Sequence, residues 1–222
     1  MNTVIQLGKV WKKKKRSSFD LIIFLFCFVE RWANGIAPGQ SFDATTPSPL
    51  FVQYVQDGLI PNGRALVPGC GRGYDVTLLA SEHRVAIGLE ISPTAVTAAE
   101  DRLKNLPDEE FPHKSNALFQ LANFFDLPAE NEAEKFDFIY DYTFFCALNP
   151  KIRIDWANQM SRLVKKGGLL LTLIFPINAA HHGKLFLLVL SFSLRSKAVD
   201  HRWTTICCDY GHLQRAVGIS WL

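Results

Sequence analysis

Residues 64–75 read Arg-Ala-Leu-Val-Pro-Gly-Cys-Gly-Arg-Gly-Tyr-Asp, and no other stretch constrains the fold as tightly. Leu66 and Val67 follow a Pro-Asn-Gly turn at 61–63 and read as a short buried strand. Gly69, Gly71 and Gly73 then alternate, and an apolar helical pattern begins at Val76 and runs to Ser81. Glycine lets the main chain turn tightly and approach a ligand with no Cβ in the way. The start of the next helix offers unpaired N–H groups. A strand, a glycine turn and a helix make a cradle of nucleotide size at the carboxyl end of a strand.

The spacing is G-x-G-x-G, so the dinucleotide fingerprint G-x-G-x-x-G fits poorly, and a plain tight turn also explains it. The next segment narrows the choice. Residues 84–90 read as a second strand ending at Glu90, about 20 residues past Gly69, where α/β nucleotide sites place a ribose-binding acid. A carboxylate accepts two hydroxyl hydrogen bonds and so suits a ribose diol. The alternative is a solvated acid at a strand end.

The 222 residues are 48% hydrophobic and 20% charged, which fits one globular domain rather than a disordered chain. The net charge of +3 comes largely from one run, Lys12 to Arg16, and gives no case for nucleic acid. Five scattered cysteines, with no C-x-x-C pair, fit neither a disulfide framework nor a zinc ribbon. A reducing, cytoplasmic compartment is expected. The basic run leads into an apolar run at 21–29, too short for an ordinary membrane span. It resembles a signal peptide but lacks a small-residue cleavage site, so no stable span is expected.

Residues 32–50 read as a loop rich in Pro and Gly. Trp32 and Phe42 stand in it, placed either to cover a flat or cationic ligand or to plug the sheet edge. Helices are expected over 48–58, from Ser92-Pro93 to Leu103, and over 150–165, where Lys165 to Gly168 stop the last. Further strands are expected at 117–121, 136–140 and 169–175. Strands alternating with helices predict an α/β, doubly wound, mostly parallel sheet. The ligand crevice then lies where the strand order reverses, at the ends of the first and fourth strands.

Val67 to Val76, Gly88 to Ser92 and Phe136 to Ala147 together resemble the thiol/halide methyltransferases. These form a thiopurine S-methyltransferase-like branch of the class I, S-adenosylmethionine-dependent enzymes. The resemblance covers about residues 32–178 and implies a Rossmann-like methyltransferase domain there, with S-adenosyl-L-methionine as cofactor. It implies that Gly69 lies beside the methionine part of the cofactor and that Glu90 binds its ribose. Asn123 and Phe124 then lie beside the adenine, although the family usually has Asp at the first of these. Tyr142 matches the residue after the acid of strand four, near the sulfonium, and is the expected catalytic residue. Trp32 matches the second of three amino-terminal tryptophans, and Phe42 stands where the third is usual.

The family spaces its first two tryptophans by three residues, whereas Trp11 lies far upstream of Trp32. Joining Trp11 to Val29 roughly restores that spacing, so residues 12–28 read as inserted sequence within an atypical segment 1–31. The tail, 179–222, carries no family motif after Gly183, so the carboxyl-terminal strands are expected to be missing or replaced. His181 and His182 stand without further ligands, and no metal is expected.

Methyl transfer to a soft anion needs little or no general base; alignment and a dry site suffice. The expected substrate is a small thiol, hydrosulfide, thiocyanate or a halide, and the chain is expected to act as a monomer. A truncated, inactive family member and a nicotinamide oxidoreductase are the competing readings. The glycine spacing tells against the oxidoreductase.

Overall fold

The computed structural model describes residues 28–173 in full, and the backbone alone of Ile174 and of four short strands beyond it, at 186–191, 204–206, 208–209 and 212–213. Trp11, all of the suggested insertion but Phe28, and His181 and His182 lie outside the described residues. No described helix is long and apolar enough to cross a membrane.

The sheet contains β1 (Gly63–Pro68), β2 (Arg84–Glu90), β3 (Ala117–Leu121), β4 (Phe136–Tyr142), β5 (Val164–Ile174), β6 (Phe186–Ser191) and β7 (Thr204–Ile206). Their order is β3-β2-β1-β4-β5-β6-β7. The first five run parallel, and β6 and β7 run antiparallel. The chain steps outward from β1 to β3 and then returns to β4, so the order reverses between β1 and β4, as the sequence predicts.

Helices cover both faces because the central strands are apolar on both. Ala65, Leu66 and Val67 of β1 are all buried. On one face lie α1 (Pro49–Gln56) and α2 (Tyr74–Leu79). The Phe51 ring of α1 stacks on Tyr140 of β4 at 3.6 Å between centroids. Val76 and Leu79 of α2 complete that cluster. The two remaining long helices are α3 (Pro93–Asn105) and α5 (Arg153–Leu163), separated in sequence by the single turn α4 (Phe144–Ala147). Trp156, Met160 and Leu163 of α5 pack with Leu66, Ile139 and Leu170 on the opposite face.

Local chemistry sets the ends of these elements. Ser92 Oγ accepts the Ala95 N–H at 3.4 Å, and Pro93 follows in the first position of α3. α2 starts two residues earlier than expected because Gly73, at φ +74°, takes the left-handed conformation at its cap. The expected helix over 150–165 opens as a 3₁₀ turn, Pro150–Ile152, and ends at Leu163. The lysine–glycine segment belongs to β5 and not to the helix. Pairing with β4 jumps from Phe136–Val164 to Phe138–Leu169, and Gly167 turns the intervening bulge at φ +81°.

The tail supplies β6 and β7. Residues 186–191 pair with Leu169 to Ile174, so the far edge of β5 is covered. At the opposite end of the sheet from the glycine turn, the buried Arg84 guanidinium donates to three carbonyls: Pro61 at 2.7 Å, Leu79 at 2.9 Å and Ile60 at 2.7 Å. These bonds tie the loop before β1, the end of α2 and the start of β2 together.

Candidate active site

The carboxyl ends of β1, β2 and β3 surround one cleft with about 270 Å³ of empty space, part of it open to solvent. Gly69, Leu89, Glu90, Ala122, Asn123, Phe124 and Phe144 are among its walls. Four of the residues expected from the sequence, Gly69, Glu90, Asn123 and Phe124, therefore meet in one place.

Gly69 adopts φ +63°, a left-handed conformation. A Cβ built on it would lie 2.8 Å from Phe144 Cδ2, so only glycine allows the Phe144 ring to close over the turn. Phe144 in turn meets Phe124 edge-on, at 5.2 Å between centroids. Thr143 takes φ +67° and re-aims the chain from β4 toward Phe144.

Glu90 is buried and draws three backbone donors. Its Oε1 accepts from the Ile91 N–H at 2.8 Å and the Ser92 N–H at 3.2 Å. Its Oε2 accepts from the Gly71 N–H at 3.1 Å. Burial raises its pKa, and the donors from Ser92, Ile91 and Gly71 oppose that rise. An ionised carboxylate offers about four acceptor sites, so three donors leave about one for a ligand hydroxyl. The two free sites expected from the sequence are therefore reduced to one by the glycine turn and the start of the next loop.

Asn123 is engaged by its own turn. Its Oδ1 accepts from the Phe125 N–H at 3.3 Å, and its Nδ2 donates to Asp126 at 2.9 Å. An aspartate here would repel Asp126, which explains the amide in this chain. The cap holds Phe124, 4% exposed, at the cleft wall.

Tyr142, Trp32 and Phe42 are placed elsewhere. Tyr142 is half-buried at the tip of β4 and lies beside Tyr140, at 6.2 Å between centroids. Burial raises its phenol pKa, with further contributions from Asp75 and Cys146. Trp32, 3% exposed, packs with Ile36 and with Ala95 of α3. It lies against Gly71, where a built Cβ would meet it at 3.5 Å, and Arg72 lies over its ring at 5.4 Å. Phe42, 40% exposed, tilts against Trp32 at 6.0 Å. Trp32 thus backs the glycine turn.

Three acids of the neighbourhood were given no role by the sequence reading. Asp43 is buried and accepts from Arg72 Nε at 2.7 Å, the Tyr74 hydroxyl at 3.1 Å and the Thr45 N–H at 2.9 Å. Arg72 also donates to the Ile36 carbonyl. The loop before α1 is thereby latched to the glycine turn. Asp141, fully buried at the end of β4, accepts from Trp156 Nε1 at 2.9 Å and the Phe145 N–H at 3.0 Å. Burial raises its pKa to about 7 against those donors. Asp75 stands in the first turn of α2, and its Oδ1 is out of reach of solvent with no hydrogen-bond partner. Burial raises its pKa to about 7, opposed by Arg102. A carboxyl directly after a glycine turn was the available signal for Asp75. No local pattern marks Asp43.

No group of three or more metal-ligating side chains occurs among the described residues.

The family model described as thiopurine S-methyltransferase matches residues 28–191. Probable thiol methyltransferase 2 of Arabidopsis thaliana is 44% identical over 152 residues, covering 68% of this chain and 62% of the relative. Thiocyanate methyltransferase 1 of the same plant is 39% identical over 146 residues, covering 66% and 60%. The chain thus spans about three-fifths of the length of these curated relatives. A solved structure titled "Conversion of a Disulfide Bond into a Thioacetal Group during Echinomycin Biosynthesis" matches with a TM-score of 0.57 and 24% identity, covering 71% of this chain and 63% of the other. At that identity it speaks for the fold alone. The fold, the cleft at the reversal of strand order and the sequence match agree that this chain belongs to the thiopurine S-methyltransferase family.

Proposed function

We propose that the protein is an S-adenosylmethionine-dependent methyltransferase acting on a small thiol, hydrosulfide, thiocyanate or a halide anion. The observation that carries this reading is the meeting of Gly69, Glu90, Asn123 and Phe124 around one cleft in a member of this family. The names of the relatives, thiol and thiocyanate methyltransferases, support the thiol and thiocyanate part of that substrate class.

The residues present fit that cofactor. Glu90 keeps about one acceptor site for a ribose hydroxyl. Phe124 and Phe144 give the cleft an apolar wall against a flat base. When bound, S-adenosylmethionine supplies an activated methyl group on a sulfonium. The chain's part is to align and to keep water out, which suits a cleft walled by Leu89, Phe124 and Phe144. To Tyr142, at the tip of β4, this reading assigns the orientation of the nucleophile by a phenol hydrogen bond. Trp32 backs the glycine turn, and Phe42 covers Trp32. An inactive remnant is less favoured, because the described cleft keeps Gly69, Glu90, Asn123 and Phe124 together.

The domain reading stands beside this: an atypical segment 1–31 with 12–28 inserted, the methyltransferase domain at 32–178 and an atypical tail at 179–222. The family match begins at residue 28, at the end of the suggested insertion, and ends at residue 191, inside the segment read as the tail. Transcript reads across the segment test it; an absence of reads without these codons refutes it. The reading includes a monomer in the cytoplasm.

Purified protein supplied with S-adenosylmethionine and either iodide or hydrosulfide should release methyl iodide or methanethiol, measured by gas chromatography. Calorimetry that detects no binding of the cofactor or of S-adenosylhomocysteine at millimolar concentration would sink the proposal.

A further inference from the structure

Of the buried residues of α5, Trp156, Met160 and Leu163 pack into the core, and the remaining one is Gln159, 4% exposed. A buried amide is costly unless its polar atoms are bonded, so its place beside apolar neighbours calls for a reason other than packing. Its bonds supply one. Nε2 donates to the Phe124 carbonyl at 3.0 Å and to the Leu127 carbonyl at 2.9 Å. Oε1 accepts from Arg162 Nη1 at 3.0 Å. Carbonyls only accept and a guanidinium only donates, so these partners fix which way the amide faces.

The two carbonyls lie at the ends of the 3₁₀ turn that follows β3. That turn, Phe124–Asp126 with Leu127 after it, carries Phe124 to the cleft wall. Its internal bonds include Asn123 Nδ2 to Asp126 at 2.9 Å and the Leu127 N–H to the Phe124 carbonyl at 3.4 Å. Such bonds shape the turn without fixing where it sits. On the strand side it is anchored by the Ala122 N–H, which donates to the Glu90 carbonyl at 3.0 Å. On the far side Gln159 grips it from α5, a helix packed on the sheet through Met160 and Leu163. Phe124 meets the Phe144 ring edge-on at 5.2 Å, so a turn that slipped from Gln159 would open the apolar wall.

We propose that Gln159 is a positioning residue for the base of the cofactor: from behind the cleft wall it holds the Phe124 turn where the ring can meet adenine. The inference rests on the proposed function, which puts adenine beside Asn123 and Phe124. Arg162 serves the same end by fixing the amide. The methyl-transfer end is left alone, because Gly69 lies on a separate turn between β1 and α2.

The test uses the full chain. Gln159→Met keeps most of the side-chain volume and removes both donors. Calorimetry compares S-adenosylhomocysteine with 5′-methylthioadenosine, which keeps the adenosine and lacks the amino-acid part. Both affinities should fall by the same factor, about tenfold, or about 1.4 kcal/mol. With hydrosulfide as acceptor, KM for S-adenosylmethionine should rise by a similar factor, while kcat stays within about twofold and KM for hydrosulfide holds. A merely structural loss would instead lower kcat through the amount of folded enzyme and leave KM for the cofactor unmoved. Unchanged binding of both ligands by Gln159→Met overturns the inference. So does weakening of S-adenosylhomocysteine alone, which moves the loss to the amino-acid end. If Gln159→Met fails to fold, Arg162→Met takes its place: both ligands should weaken about threefold, and no change overturns the inference. Native protein that binds S-adenosylhomocysteine but not 5′-methylthioadenosine also overturns it, because the base then carries too little affinity to need a positioned wall. Native protein that binds neither ligand overturns the functional reading itself.

Discussion

The Phe144 ring closes over Gly69 so tightly that a methyl group on that glycine would meet Cδ2 at 2.8 Å. Backbone and side chain act together here, because Gly69 also needs a left-handed φ of +63°. Gly69→Ala should therefore cost about 1–3 kcal/mol, from the unfavourable φ and the clash. It should also weaken cofactor binding at least about tenfold, because the turn can no longer approach a ligand. Thermal melting and calorimetry read the two effects. Adding Phe144→Ala should restore part of the stability, and a double variant no more stable than Gly69→Ala would show that the clash is not the cause.

Glu90→Gln replaces an acceptor of three N–H groups by an amide that can turn only one oxygen toward them. At least one of the Gly71, Ile91 and Ser92 donors is then left unpaired. A loss of about 1–3 kcal/mol of stability is expected, together with weaker binding of any adenosine-containing ligand. Denaturant unfolding and binding of 5′-methylthioadenosine measure these. Undiminished affinity for that nucleoside would remove Glu90 from the ribose contact.

Asp75 predicts a pH-dependent stability whose sign is fixed. Its folded pKa, about 7, lies above the ordinary carboxylate value, so the folded state binds the proton more tightly than the unfolded state does. Stability from this group is present below the unfolded pKa of about 4 and is lost as pH rises through about 7. Asp75→Asn should therefore be the more stable protein at about pH 8, by about 1 kcal/mol after allowance for partial exposure, and the gap should close toward about pH 4. Melting curves across that range check it. A gap that widens on acidification contradicts the assignment.

Asp43 latches the loop before α1 to the glycine turn through Arg72 and Tyr74. Asp43→Ala removes the acceptor and leaves the Arg72 charge part-buried, so about 2–4 kcal/mol should be lost. Arg72→Ala should cost a comparable amount, because Asp43 is then buried without its cation. In both variants amide hydrogen exchange should quicken across residues 34–48 before it does in β1 or β4. Uniform quickening through the whole sheet would mean that the latch supports the fold rather than the loop.

What could be read from the chain was what is encoded locally. The strand, glycine turn and helix around Gly69, and the acid closing β2, depend on neighbours within a few residues. Their turn chemistry and apolar periods are visible in a single sequence. β3 was placed without error, and Ser92-Pro93 announced its helix. The bulge at Lys165 to Gly168 was read as a helix stop because cations and glycines also end helices; pairing with β4 decided otherwise. The latch from Asp43 to Arg72 joins residues 29 apart, and the bond from Trp156 to Asp141 joins residues 15 apart. Neither spacing has a signature. Trp32 looked equally suited to covering a ligand or plugging the sheet edge, and its burial against Ala95 and Gly71 appears only in three dimensions. Asp75 was passed over because an acid in the first turn of a helix is ordinary; its missing donor appears only in three dimensions.

The three carbonyls gathered by Arg84 fix where this molecule can give way. With the loop before β1, the end of α2 and the start of β2 stapled together, opening at the foot of the sheet must break these bonds, whereas opening at the cleft rim need not. Sequence drift in those rim loops can then reshape what enters without loosening the scaffold below. Loss of the single guanidinium would instead release the hinge on which the whole rim turns.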